Sequence, residues 1–227
     1  TNANSLWLNN KPFKKDLEIA LNRKVKLMND ANCFTLSEAL DGAGKEFKSI
    51  FGIIIGTGFG GGLSYKKEII EGANQIAGDW GHQPLPYPTN EEIKTKIKCP
   101  SSNCGRPLCA EQFMSGVGFS NIFNIKHNTS FNAEEISKLD NKDDKRADDE
   151  FNLYEDRMAR LMAVMIGIFD PDAIILGGGM SNIDRLYKNI PPLISKYTFS
   201  NKVNTKVLKN LHGDSSGVRG AAWLWND

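Results

Sequence analysis

I-F-G-I-I-I-G-T-G-F-G-G-G-L-S-Y, residues 50–65, decides the architecture. Ile50 to Ile55 is an apolar, isoleucine-rich run interrupted only by Gly52, it stops at the glycine-rich loop Gly56–Gly62, and Leu63–Tyr65 resumes as a strand. A short apolar run bounded by glycines has strand length rather than helix length, so the stretch predicts strand, tight loop, strand. On the N-terminal side, residues 11–23 carry Phe13, Leu17, Ala20 and Leu21 at helical spacing, Val25–Met28 reads as a strand, and Ala31–Ala43 as a helix closed by Gly42 and Gly44.

Downstream, Pro84–Pro100 is a loop and Gln112–Phe123 is helical with a Ser-Gly interruption. Residues 139–150 are a charged run whose reading is a solvated loop or helix N-terminus without chemistry. Leu153–Phe169 is a long helix whose methionines fill a core, Ala173–Leu176 a buried strand, and Gly177–Gly179 a turn into a helix over Asn182–Tyr197. Gly217–Trp225 closes as a helix. Strands alternating with helices, plus an early hairpin, give an α/β or mixed α+β fold.

The chain has 227 residues, 40% hydrophobic and 24% charged, with 28 basic against 27 acidic side chains. That composition supports a real core, and its balance argues against nucleic acid as the main partner, because a duplex-binding surface needs a cationic excess. No apolar run reaches the roughly 18 residues that span a membrane, so no membrane role is expected.

His82, Cys99, Cys104 and Cys109 stand in D-W-G-H and, after a gap, C-P-S-S-N-C-G-R-P-L-C-A-E. Four-residue spacers separate the cysteines and Gly105 permits a tight turn, so one imidazole and three thiols converge on a tetrahedral Zn²⁺ at about 2.3 Å. Such a closed set leaves no position for water, so the ion is expected to be structural. Free thiols with metal spacing point to a reducing cytoplasm.

Two glycine turns follow buried strands: Gly56, Thr57, Gly58 and Gly60 in the first, Gly177, Gly178 and Gly179 in the second. Glycine amides approach anions closely, and two such turns suggest the walls of a nucleotide cleft; a plain hairpin loop reads equally well for the first alone. Asp30, beside Asn29 at a strand end and helix start, is either an N-cap or a general base that takes a proton from a sugar hydroxyl.

Taken together, N-D-A-N-C, G-T-G-x-G-G-G, G-x-W-G-H, the cysteines with Glu111 two residues after the last, D-P-D-A-I-I-L-G-G-G and G-V-R-G-A-A-W resemble the ROK family of sugar kinases along nearly the whole chain. The opening N-A-N-S-x-W-L-N, H-Q-P-L-P and the ending G-D-S-S-G-V-R-G-A-A-W-L-W are most similar to bacterial fructokinases. The resemblance implies an actin-like, ribonuclease H-like fold of two lobes around ATP. It implies Asp30 as base, Asn29, Asp79, His82 and Glu111 against a hexose, the two glycine turns on the nucleotide, and Mg²⁺ accompanying ATP. The implied reaction is phosphorylation of a hexose, D-fructose first, at its 6-hydroxyl, and a homodimer is the commonest assembly for such a protein.

Three positions depart from the family pattern. Asp79 replaces the usual glutamate, shortening the reach by roughly 1.5 Å, more than a hydrogen bond tolerates without rearrangement. The first two cysteines are four residues apart where one is usual, and Leu108 replaces a usual glycine. The D-x-G-G-T phosphate motif is missing and the chain opens without methionine, so the expectation is a fragment lacking on the order of one hundred residues and catalytically silent alone. Residues 1–45 would then be the tail of the first lobe, 46–212 the second lobe and 213–227 a helix at their interface. A repressor of the same family and a non-catalytic sugar-binding module are the rival functions.

Overall fold

The computed structural model describes residues 8, 10–95, 98–99, 104–200 and 202–225. Helices α1 (Phe13–Leu21) and α2 (Asp30–Leu40) precede strands β1 (Ser49–Ile55), β2 (Phe59–Tyr65) and the short β3 (Glu68–Ile69). Helices α3 (Asn90–Ile93), α4 (Ala110–Met114), α5 (Gly116–His127), α6 (Ala133–Asp140) and the 25-residue α7 (Lys145–Phe169) follow. The chain continues through β4 (Ala173–Gly177), a 3-10 turn (Gly179–Asn182), α8 (Arg185–Ile194), β5 (Lys206–Lys209) and α9 (Ser216–Trp223).

The strands form one mixed sheet in the order β3-β2-β1-β4-β5, with β1 antiparallel to β2 and parallel to β4, and β4 parallel to β5. Alternation along β1 sorts its side chains onto two faces. Phe51, Ile53 and Ile55, with Ile174 and Leu176 of β4, join the main core with Phe113, Phe119, Phe151, Tyr154 and Met158 from α4, α5 and α7. Ile50 and Ile175 face the other way, onto Phe34 and Ala39 of α2. Helix α9 crosses α2 there so closely that a Cβ on Gly220 would lie 1.7 Å from the Cys33 carbonyl oxygen.

Several sequence expectations are corrected. Gly60–Gly62 belong to β2 rather than to the loop, pairing with Ile54, Ile53 and Gly52. Their lack of side chains serves close contact: a Cβ on Gly61 would sit 2.7 Å from the Phe51 ring, and one on Gly62 2.7 Å from both Asn32 and Thr35. Val25–Met28, expected as a strand, joins no ladder of the sheet; Val25 N–H donates instead to Glu18 Oε1 at 3.0 Å. The helix expected over Asn182–Tyr197 starts at Arg185 and ends at Ile194. The charged run 139–150 is the end of α6 and the start of α7, where Asp144 caps the helix and Glu150 is buried. Helix α3 lies inside the loop expected over Pro84–Pro100 and α6 was not expected; the capping boxes Thr89–Glu92 and Asn132–Glu135 are the local signals that could have found them.

Candidate functional site

Residues 81–85 run antiparallel to 108–111, with Leu85 N–H donating to Leu108 O, Ala110 N–H to Gln83 O and Glu111 N–H to Gly81 O, each at 2.8 Å. This ladder sets His82 Nδ1 3.4 Å from Cys109 Sγ. Cys99 Sγ lies 3.5 Å from Cys109 Sγ, and one ligand atom from each of His82, Cys99, Cys104 and Cys109 falls within 4.8 Å of all the others. Tetrahedral zinc bonds hold such ligands about 3.6–3.8 Å apart, so the donor set and its spacing fit that ion. Burial pushes the Cys109 thiol up to about 11, reinforced by the Cys104 thiol, so a bound cation must displace protons here. Leu108, at the position where the resemblance expects glycine, takes φ +54°, a left-handed conformation that glycine adopts without strain.

Cys109 is also the residue preceding α4, so the cluster fixes the start of the helix that carries Glu111. Glu111 is 7% exposed; its Oε2 accepts from Phe59 N–H at 3.1 Å and its Oε1 lies 3.5 Å from Cys99 Sγ. Cβ positions built on Gly58, Gly60 and Gly62 would meet in turn Glu111 Oε2 at 3.1 Å, Ala31 Cβ at 3.9 Å and Asn32 Oδ1 at 2.7 Å. Glu111 and the start of α2 therefore lie along one edge of the same hairpin.

At that helix start Asn29, not Asp30, is the cap: its Oδ1 accepts from the N–H groups of Ala31 and Asn32 at 2.8 and 3.3 Å. Asp30 is the first helical residue, with Oδ1 2.9 Å from the Ala31 N–H and its side chain exposed. Asp79 is exposed on a loop pressed against β2, since Cβ atoms on the flanking Gly78 and Gly81 would lie 2.9 Å from Gly61 O and 1.7 Å from Phe59 O. Asn29, Asp30, Asp79, His82 and Glu111 thus all sit on segments gathered around one hairpin.

The other side of the hairpin turn opens into a cavity of about 950 Å³. Gly56 and Thr57 line one wall and Gly179, Met180 and Ile183 another; Gly116 N–H donates to Gly56 O at 2.8 Å and joins the turn to α5. Of the seven nucleotide-turn residues expected from sequence, Gly56, Thr57 and Gly179 reach this cavity. Gly58 backs onto Glu111 and Gly60 onto α2, while a Cβ on Gly177 would lie 2.4 Å from the Phe34 ring and one on Gly178, at φ +79°, 2.6 Å from the Ile55 carbonyl oxygen. The third wall, with Ser120, Asn121 and Lys138 on α5 and α6, was not singled out from the sequence, whose one local signal there is the capping box Asn132–Glu135.

The family model described as ROK family matches residues 1–227. N-acetyl-D-glucosamine kinase of Vibrio atlanticus is 39% identical over 214 residues, 94% of this chain and 71% of that protein. The enzyme of the same name from Vibrio cholerae is 38% identical over 214 residues with the same coverage. Among solved structures, a ROK family glucokinase from Streptomyces griseus in complex with glucose and AMPPNP superposes with TM-score 0.80 at 24% identity, covering 94% of this chain and 72% of that one. A ROK hexokinase from Thermus thermophilus gives 0.79 at 23% identity, covering 93% and 68%. Both share the actin-like fold expected from the sequence. With the family model matching from end to end and kinases of a hexose-type sugar as its relatives, the chain belongs to the ROK family, among its sugar kinases.

Proposed function

We propose that this protein transfers the γ-phosphoryl group of ATP to the 6-hydroxyl of N-acetyl-D-glucosamine. The observation that carries the reading is the turn Gly56–Gly58: Gly56 and Thr57 face the cavity, and Gly58, one residue on, backs onto Glu111. A nucleotide in the cavity and a sugar on Glu111 would meet across that turn. Asn29, Asp79, His82 and Glu111 hold and orient the sugar hydroxyls. Asp30 takes the proton of the attacking hydroxyl; its oxygen bonds to the γ-phosphorus, and the electron pair of the broken bond leaves on the ADP oxygen. Mg²⁺, when bound with ATP, neutralises charge on the β and γ oxygens.

Zn²⁺ is the ion proposed for the cysteine cluster, where it fixes the start of α4. The division into lobes at residue 45 remains a proposal; the seating of α2 on the sheet favours placing it before Asn29. The choice of sugar rests on relatives that are N-acetyl-D-glucosamine kinases at 36–39% identity. D-fructose, suggested by the resemblance of the C-terminal G-D-S-S-G-V-R-G-A-A-W-L-W, is the second sugar to test. A coupled ADP-release assay of the complete gene product over a hexose panel decides. Highest kcat/KM with N-acetyl-D-glucosamine is expected, preference for fructose replaces the substrate, and no turnover with any hexose overturns the reading.

A further inference from the structure

Two walls of the cavity are tied to α7 through one side chain. Arg185 opens α8 two residues after Ile183, which lines the cavity. Its Nη1 donates to Asp140 on α6 at 2.6 Å and to Asp148 on α7 at 3.0 Å; its Nε donates to Glu155 at 2.6 Å and its Nη2 to Asn152 at 2.9 Å. The guanidinium lies 5.1 Å over the Phe151 ring, and the Arg185 and Asp140 side chains are only 16% and 14% exposed. Helix α6 contributes Ser137 and Lys138 to the cavity. The turn that contributes Gly179 and Met180 is held to α8 in addition by Tyr187, whose hydroxyl donates to Ser181 O at 2.6 Å.

We infer that Arg185 is a positioning residue of the nucleotide site, setting the separation between α6 and the Gly179–Ile183 turn; this rests on the reading of the cavity given above. A planar fork with donors in fixed directions suits that task, because it meets Asp140, Glu155 and Asn152 at once and each contact restricts the others. The surface ion pairs elsewhere on α6, such as Lys138 with Glu134, involve side chains that are mostly in solvent and fix no such distance. Asp140 is the arm that reaches the α6 wall, whereas Glu155, 2% exposed, needs the cation to remain in a dry environment. The two partners can therefore be tested separately.

Binding of AMP-PNP with Mg²⁺ and of hexose, together with Tm, is measured on the complete gene product carrying Asp140→Asn, Arg185→Met, Arg185→Lys or Asn121→Trp. Asp140→Asn keeps an oxygen acceptor but removes the charge that holds α6 to the guanidinium, while Arg185 stays paired with Glu155, so it is the decisive variant if Arg185→Met fails to fold. It is expected to weaken AMP-PNP binding about tenfold while hexose binding stays within about twofold. Arg185→Lys, which keeps the charge but loses the fork, is expected to lie between wild type and Arg185→Met. Lower Tm with unchanged AMP-PNP affinity in Asp140→Asn makes Arg185 a packing residue only and overturns the proposal. Asn121→Trp fills the cavity from its rim. If it too leaves AMP-PNP binding unchanged, the nucleotide reading of the cavity fails; if it weakens binding while Asp140→Asn does not, only the role of Arg185 fails.

Discussion

Glu111 accepts a hydrogen bond from the backbone N–H of Phe59 through one carboxylate oxygen, and its other oxygen lies beside the Cys99 sulfur. A single carboxylate therefore joins the cysteine cluster to the first residue of β2. Removing it by Glu111→Ala leaves the buried Phe59 N–H without an acceptor, which costs about 1–3 kcal/mol and lowers Tm along with hexose affinity. Glu111→Gln keeps an acceptor, so its Tm is expected near wild type while hexose binding still weakens. Equal Tm losses in the two variants, read by calorimetry, would show that the charge rather than the acceptor holds the hairpin.

Asp30 is exposed at the first position of α2, where the cap itself is supplied by Asn29. Asp30→Asn is consequently expected to leave stability close to wild type and to reduce kcat by about 10²-fold or more with little change in hexose KM. Steady-state kinetics on the complete gene product check this, and an undiminished kcat rules Asp30 out as the base.

Glycines of the hairpin separate into two kinds. A Cβ on Gly62 would lie 2.7 Å from Thr35 Oγ1 and 2.9 Å from the Ala31 carbonyl oxygen, so Gly62→Ala must push α2 off the sheet. A loss of about 2 kcal/mol is expected in chemical denaturation. Gly56 has nothing within 4 Å of its Cβ position, which is turned to open space on the cavity rim. Gly56→Ala should keep its stability yet weaken nucleotide binding, and the reverse pattern would exchange the roles assigned to the two positions.

Zinc removal provides a fourth test. Treating the protein with a chelator, or replacing Cys109 by serine, is expected to lower Tm and hexose affinity together, because the cluster fixes both the 108–111 ladder and the start of α4. Metal analysis of the purified protein gives the stoichiometry, expected to be about one ion per chain for a closed tetrahedral site. Unaltered melting after complete chelation removes the structural role.

Acid stability is set in part by Glu92, which ends a buried cluster with Arg157 and Arg160 at 2.8 and 2.7 Å. Burial alone would raise its pKa, but the Arg160 and Arg157 guanidiniums and the Thr89 N–H outweigh that and bring it from 4.5 to about 2. The folded value lies below the unfolded one, so this contribution is complete above about 4.5 and is lost as pH falls toward about 2. Glu92→Gln should be less stable near neutrality by about 3 kcal/mol and show a flatter acid limb between those values. Denaturation midpoints across that range make the comparison, and parallel acid limbs would disprove it.

The central strands were legible because β1 and β4 are short apolar runs ended by glycine, and the order of motifs along the chain fixed the family. Where sequence reading placed Gly60–Gly62 in a loop, the demand for glycine came instead from packing: at Gly61 from the Phe51 ring, and at Gly62 from Asn32 and Thr35 of α2, far back in the chain. A run of glycines looks the same whether it turns or makes room for a helix. The cysteine cluster was visible from its spacing, whereas Glu92, Arg160 and Arg185 were not, since their partners lie as far as 68 residues off and obey no local period. Helix α6, which walls the cavity, did carry a readable signal in Asn132 and Glu135.

Glu38, fully buried on α2, accepts hydrogen bonds from the Ala43, Leu211 and His212 N–H groups and from the Ser216 hydroxyl. Three of those four donors come from the last seventeen residues of the chain. Truncating the chain anywhere in that stretch before Ser216 would leave the buried Glu38 short of donors while uncovering the back of α2. Residues 211–216 are thus bound up with the integrity of the helix that begins at Asp30, and changes there should unseat it as surely as changes within the helix itself.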